Sequence, residues 1–274
     1  MDASLNECAE NCRQHDPDRW LTALFAPDAK RPALLALYAF NLEIARTAEQ
    51  VSEPMLGAIR LQWWRETLDG IRAGKPRRHP VAEALHAVGA AHWSEVDFNS
   101  LIDARERDLD PEPMADMAAL LDYADASSAP LLRLAGEALG APLPLDTSRH
   151  AGQAYALIGL LRAVPFHAAQ ERVLIPADLL RRQGLEPEAL YRQDLGPQAF
   201  AAFRDVGQEA ERLLGLLRRQ KLAAAQMPAL LPLTLAARHL RLMQRKGFDL
   251  RQAFDAIDAG KYFALLWAAF RRKI

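Results

Sequence analysis

The sequence predicts an all-α fold, and three observations carry the prediction. Apolar residues recur at helical spacing from end to end, strand-like alternation is nearly absent, and Pro and Gly punctuate the chain at helix-length intervals. With 274 residues, half of them hydrophobic, the chain can bury a sizeable core. No long polar linker, internal repeat or low-complexity tract interrupts it, so it reads as one domain over 1–274.

Each helix has its own signal. Asp16-Pro17 offers an N-cap and a first-turn proline to a helix over 19–25. Over 31–47, Leu34, Leu35, Tyr38, Leu42 and Ala45 share one stripe. Pro54 opens a helix over 55–72, closed by Gly74 and Pro76, and His79-Pro80 opens a shorter one. Helices over 94–109 and 114–139 follow, the second closed by Gly140. The stretch 151–176 then begins with Tyr155, Leu157, Ile158, Leu161 and Val164 at helical spacing, apolar on most faces as suits a central helix. It carries no Asp or Glu from 151 to 170. Residues 172–176 are the one segment that could be extended. Short helices over 177–183 and 187–193, a long one over 197–226 with a basic patch at Arg218, Arg219 and Lys221, and helices over 233–246 and 249–256 complete the series before a tail helix.

Charge and composition exclude several function classes. Lys and Arg total 34 against 35 Asp and Glu, so no basic excess exists to neutralise phosphates and a nucleic-acid partner is not expected. The two cysteines, Cys8 and Cys12, fall at i, i+4 on a helix with only His15 nearby, too few ligands for a metal, and read as reduced thiols. The acidic start lacks both a secretory h-region and a mitochondrial presequence character, and with the reduced thiols it fits a cytoplasmic protein. No apolar run reaches membrane-spanning length. The tail, 264–274, has an apolar face and a basic end, which fits peripheral membrane contact or a last helix matched to its own dipole.

Adjacent Trp63 and Trp64 point about 100° apart on a helix, so one packs inward while the other faces a cavity or a partner, unless both simply pack. Asp103, Arg107 and Asp110 fall near one helical face and read as a solvated charged surface. No histidine pair shows zinc-hydrolase spacing, Ser127-Ser128 lacks a nucleophile elbow, and no Gly-rich phosphate loop is present.

The strings Leu37-Tyr38-Ala39-Phe40, Arg60-Leu61-Gln62-Trp63-Trp64-Arg65, His79-Pro80-Val81, Asp103 through Leu109, and Leu160-Leu161-Arg162 followed by Val173-Leu174-Ile175-Pro176 resemble the squalene/phytoene synthase family, in matching order over roughly residues 15–270. The resemblance implies a prenyl-synthase (isoprenoid synthase) helical bundle around a central cavity. It also implies two Asp-x-x-x-Asp pairs that hold Mg²⁺ against a prenyl diphosphate leaving group. Here the positions matching the first pair are Ala48 and Ser52, and those matching the second are Ala163 and His167. The strings Leu161-Arg162-Ala163-Val164-Pro165-Phe166-His167 and Ala39-Phe40-Asn41-Leu42-Glu43 further resemble the branch of a mitochondrial respiratory complex I assembly factor and its bacterial relatives.

That resemblance implies a non-catalytic protein without a cofactor. Its partners would be respiratory-complex subunits or a lipid or prenyl ligand in the residual cavity. Tyr38, Asn41, Glu43, Trp63, Trp64, Arg162, Phe166 and His167 are the cavity candidates, with Arg162 as an enclosed cation for an anionic headgroup. The alternative is an active Mg²⁺-dependent prenyl transferase with a relocated metal site at Glu49, Glu53, Asp103 and Asp108.

Overall fold

The computed structural model describes residues 3–192, 195–253 and 260–274, and all regular structure among them is helical. The α-helices are α1 (Ala3–His15), α2 (Pro17–Ala23), α3 (Arg31–Ala45), α4 (Thr47–Gln50), α5 (Pro54–Arg72), α6 (Pro80–Ala87), α7 (Glu95–Glu106) and α8 (Met117–Leu139). They continue with α9 (Leu145–Ala169), α10 (Ala177–Arg182), α11 (Pro197–Arg218), α12 (Met227–Leu230), α13 (Pro232–Arg245), α14 (Leu250–Ala253) and α15 (Lys261–Arg271). Among the described residues no helix is long and apolar enough to cross a membrane. Gln193 and residues 254–256, the ends of two predicted short helices, lie outside the described residues.

The helix starts follow local chemistry. Asp16 caps α2, its carboxylate accepting from the Arg19 amide at 3.1 Å, with Pro17 in the first turn. His79 caps α6 and Ser94 caps α7 in the same way, through the amides of Val81 and Asp97. The α10 start is satisfied from further away: the amides of Ala177 and Asp178 donate to the carbonyls of Met114 and Ala115 at 2.8 and 3.1 Å. Gly140, at φ 68°, ends α8 in the left-handed region that glycine enters without a Cβ penalty.

Backbone contacts group the chain into two compact units, and the long helices α8 and α9 each contribute to both. The first unit holds residues 1–110, 130–148 and 222–232. Its core is α3, buried from Ala33 to Leu42, against which α1, α6 and α7 pack. Phe40 meets the Trp64 and Phe98 rings edge-on, with centroids 5.3 and 5.2 Å away. Cys8 and Cys12 are buried free thiols of α1; burial pushes the Cys8 thiol up to about 12 and Cys12 higher still. Both therefore stay protonated and inert in the folded chain. The buried Asp97 carboxylate accepts from Arg133 at 2.5 and 2.8 Å, which removes the cost of an unpaired interior charge.

The second unit holds residues 111–129, 149–221 and 233–274. Here α9 buries Ala151, Gly152, Ala154, Leu157, Ile158, Leu161, Val164 and Ala168. Its approach to α8 is set by Gly152: a Cβ there would lie 2.6 Å from the Ala129 nitrogen and 2.8 Å from its Cα, both backbone atoms that cannot swing aside. The helix ends on Glu171 at φ 53°, where the amides of Glu171 and Arg172 return to the carbonyls of Ala168 and His167. Among the described residues, 172–176 form no strand, and α11 stops at Arg218 rather than running to Gln226.

Two glycines on α9 give a paired prediction. Gly152→Ala forces backbone apart and should destabilise by about 2–3 kcal/mol, whereas Gly159→Ala, with nothing within 4 Å of its Cβ position, should stabilise by about 0.5–1 kcal/mol. Urea denaturation of the two variants checks both signs.

Candidate functional site

The residues singled out from the sequence fall in two groups. Tyr38, Asn41, Glu43, Trp63 and Trp64 belong to the first unit, and Arg162, Phe166 and His167 to the second.

In the first group, Tyr38 and Asn41 sit one turn apart on α3, 2% and 4% exposed. The Arg19 guanidinium lies 5.8 Å from the Tyr38 ring centre. The buried Asn41 Oδ1 has no hydrogen-bond partner. A buried amide oxygen without a protein donor is costly unless a water or a ligand meets it. Glu43 accepts from Arg60 of α5 at 2.7 Å, a half-exposed pair that links the two helices and contributes about 1 kcal/mol or less. Trp64 is fully buried, and Trp63 lies across it at 5.0 Å. His79 packs against both indoles, and Arg77 covers Trp63 at 5.2 Å. One tryptophan thus packs inward as expected, and the other is engaged by side chains of its own unit.

The acids proposed for a relocated metal site do not gather. The helix expected over 31–47 ends at Ala45, and α4 is a separate single turn. Val51 is extended, at φ −117° and ψ 147°, and Glu53 is extended at the N-cap of α5. Glu49 and Glu53 are therefore not i, i+4 on one helix, and both are exposed. The same break separates Ala48, on α4, from Ser52. Asp103 accepts from Arg65 of α5 at 2.5 Å, and that guanidinium also holds Glu106 at 2.8 Å. Asp103, Arg107 and Asp110, read from the sequence as a solvated charged surface, are solvent-accessible; Asp103 pairs across helices and Arg107 pairs with Asp110 at 3.0 Å. Asp108 is buried against Arg105 at 3.2 Å. Among the described residues, no three His, Cys, Asp or Glu side chains stand together as a metal would require.

In the second group, Arg162 is exposed, which corrects the expectation of an enclosed cation. The reason is the α9 stripe: Leu161, Val164 and Ala168 take the inward face, and residue 162 falls about 100° round from Leu161. Phe166 is 49% exposed, and the His167 ring lies 5.6 Å from it. Ala163 is half-buried. Pro165 stands inside the helix and has no N–H for the Leu161 carbonyl, so one hydrogen bond of the helix is missing there.

Sequence reasoning missed the Asn41 orphan and the Glu43–Arg60 pair, for which no local pattern exists. It also missed a cavity of about 860 Å³ lined by Arg218, Arg238, Arg241, Arg271 and Lys273. There a signal was available: Arg238, Arg241 and Arg245 recur at helical spacing on α13.

The architecture is that of the isoprenoid synthases: a crystal structure of a dehydrosqualene synthase superposes with a TM-score of 0.78, covering 98% of this chain and 96% of that one at 16% identity. The squalene/phytoene synthase family model matches residues 12–258, and the chain belongs to that family. Complex I assembly factor 6 of Bos taurus is 31% identical over 248 residues, 89% of this chain and 74% of that protein. Presqualene diphosphate synthase of Rhodopseudomonas palustris is 28% identical over 164 residues, 58% of each.

Because the Asn41 oxygen gains nothing from its present surroundings, Asn41→Leu should leave stability unchanged or raise it by about 1 kcal/mol. Thermal denaturation measures this; a loss of about 2 kcal/mol or more would show that the amide is structural.

Proposed function

We propose that this chain is a non-catalytic member of the squalene/phytoene synthase family that acts in assembling a respiratory complex, in a bacterial cytoplasm, and needs no cofactor. One observation carries the reading. The central helix carries no Asp or Glu anywhere from 151 to 170, and the positions that the family resemblance assigns to the metal-binding acids are Ala48 and Ser52 in one place and Ala163 and His167 in the other. Ionising a prenyl diphosphate needs Mg²⁺ on the leaving group, and Mg²⁺ takes carboxylate oxygens. The side chains there do not fit it: two alanines offer no ligand, and a serine hydroxyl and one imidazole are poor partners for a hard cation. The backbone adds to the mismatch, since the extended residue Val51 lies between 48 and 52.

The likeness to complex I assembly factor 6 supports the assembly role, and makes respiratory-complex subunits the natural partners. Asn41, with its orphan oxygen, and Tyr38 are the residues we assign to a lipid or prenyl ligand on the first unit.

The second reading, a Mg²⁺-dependent prenyl transferase, draws on the likeness to presqualene diphosphate synthase. It has to use Glu49, Glu53, Asp103 and Asp108, of which the last two are held by Arg65 and Arg105. Two measurements separate the readings. Incubation of the chain with farnesyl or geranylgeranyl diphosphate and Mg²⁺ is expected to release no diphosphate above a protein-free control. Deletion from the native host is expected to lower membrane NADH–quinone activity severalfold, with recovery on re-expression. Product formation that Glu49→Gln abolishes, or a deletion strain with normal NADH oxidation, would reject the assembly reading.

A further inference from the structure

The end of the chain combines two features that the assembly reading does not use. The first is α15. Leu265 and Ala268 anchor it to the second unit, 0% and 5% exposed. On the outward side Tyr262, Leu266 and Phe270 follow at i, i+4, i+8, and Phe263 and Trp267 flank them at i, i+4. All five are more than half exposed, up to 81% at Phe270. A helix bathed in water places polar residues on that side. Here both sides are apolar, and the ends are basic: Lys261 lies 5.5 Å from the Tyr262 ring centre, and Arg271 lies 5.3 Å from that of Trp267. Aromatic side chains bracketed by cations are the composition of a helix lying in a bilayer interface.

The second feature is the cavity beside it. Among the described residues its walls carry Arg218, Arg238, Arg241, Arg271 and Lys273 and no Asp or Glu, and Phe263 and Trp267 line it as well as the outer face. Glu211 reaches Arg218 at 2.7 Å. Burial holds the Arg241 guanidinium below its ordinary value, and the charges of Arg238, Arg218 and Arg245 add to the effect. Like charges placed this close raise the local positive potential and favour an anion beside them. Thr234, which also lines the cavity, is 8% exposed and its buried hydroxyl has no hydrogen-bond partner. An arginine cluster with an unpartnered hydroxyl is a donor set for phosphate oxygens.

We propose that α15 and this cavity form a docking site for an anionic phospholipid bilayer. The aromatic face enters the boundary between headgroups and acyl chains, and one headgroup phosphate sits against Arg241, Arg271 and Thr234. Charge complementarity selects the occupant: a basic cavity opening onto an apolar helix face matches the layered chemistry of a lipid surface, whereas a soluble anion uses only the cavity. Asp255 and Asp258, which precede the helix in sequence, lie outside the described residues, and the proposal does not involve them.

The test is flotation of the full chain with vesicles of phosphatidylcholine alone or mixed with phosphatidylglycerol. Binding is expected to the mixed vesicles and to weaken with salt. Phe263→Ser with Phe270→Ser should abolish it. Arg241→Gln and Arg271→Gln should each weaken binding roughly fivefold towards mixed vesicles, and leave the residual binding to phosphatidylcholine unchanged. Thermal denaturation confirms that each variant is folded; Arg241, Phe263, Phe270 and Arg271 are all exposed. Three results would overturn the proposal. One is equal flotation of the parent chain and the aromatic variant. Another is saturation by inorganic phosphate, read as an Arg241-dependent rise in Tm, without vesicle binding. The third is binding to host membranes but not to protein-free vesicles, which would mark a protein partner.

Discussion

A carboxylate is tolerable inside a protein only beside a cation, and α9 carries neither on its buried side. Its inward stripe is alanine, leucine, isoleucine and valine, and its last acid before Glu171 is Asp146 in the first turn. The family resemblance implies a pair of metal-binding acids on this helix and puts Ala163 and His167 at those positions, and the reading proposed above rests on that. Without clustered acids the helix has no mutual repulsion for a metal to offset.

The first metal position differs in another way. Side chains alone do not account for it, because α3 stops at Ala45 and the chain passes through a one-turn helix and an extended residue before α5. The core of the first unit is α3, with the Phe40–Trp64–Phe98 cluster and the paired Asp97 and Arg133. Apolar burial and paired charges of this kind hold a fold without a metal.

Much of this was legible in the sequence because the signals are local. Asp16-Pro17, Ser94 and Gly140 each mark a helix end through their own backbone chemistry, and Trp64 packs inward as the apolar period requires. The failures are non-local. Leu222 to Gln226 has good helix formers, yet α11 ends at Arg218, because those residues join the first unit; tertiary placement overrode propensity. The partnership of Glu43 with Arg60, and of Asp103 with Arg65, spans 17 and 38 positions and leaves no periodic trace. Arg162 was read as enclosed from its apolar neighbours, although its angle from Leu161 on the helix already placed it outside.

The central claim is that neither helix position holds Mg²⁺ for a prenyl diphosphate. Calorimetric titration of the full chain with Mg²⁺, in the presence of an unreactive farnesyl thiodiphosphate, tests it most directly. The account predicts no Mg²⁺-dependent heat and the same affinity for the analogue with and without the metal. Stoichiometric Mg²⁺ binding that appears only with the diphosphate would contradict it.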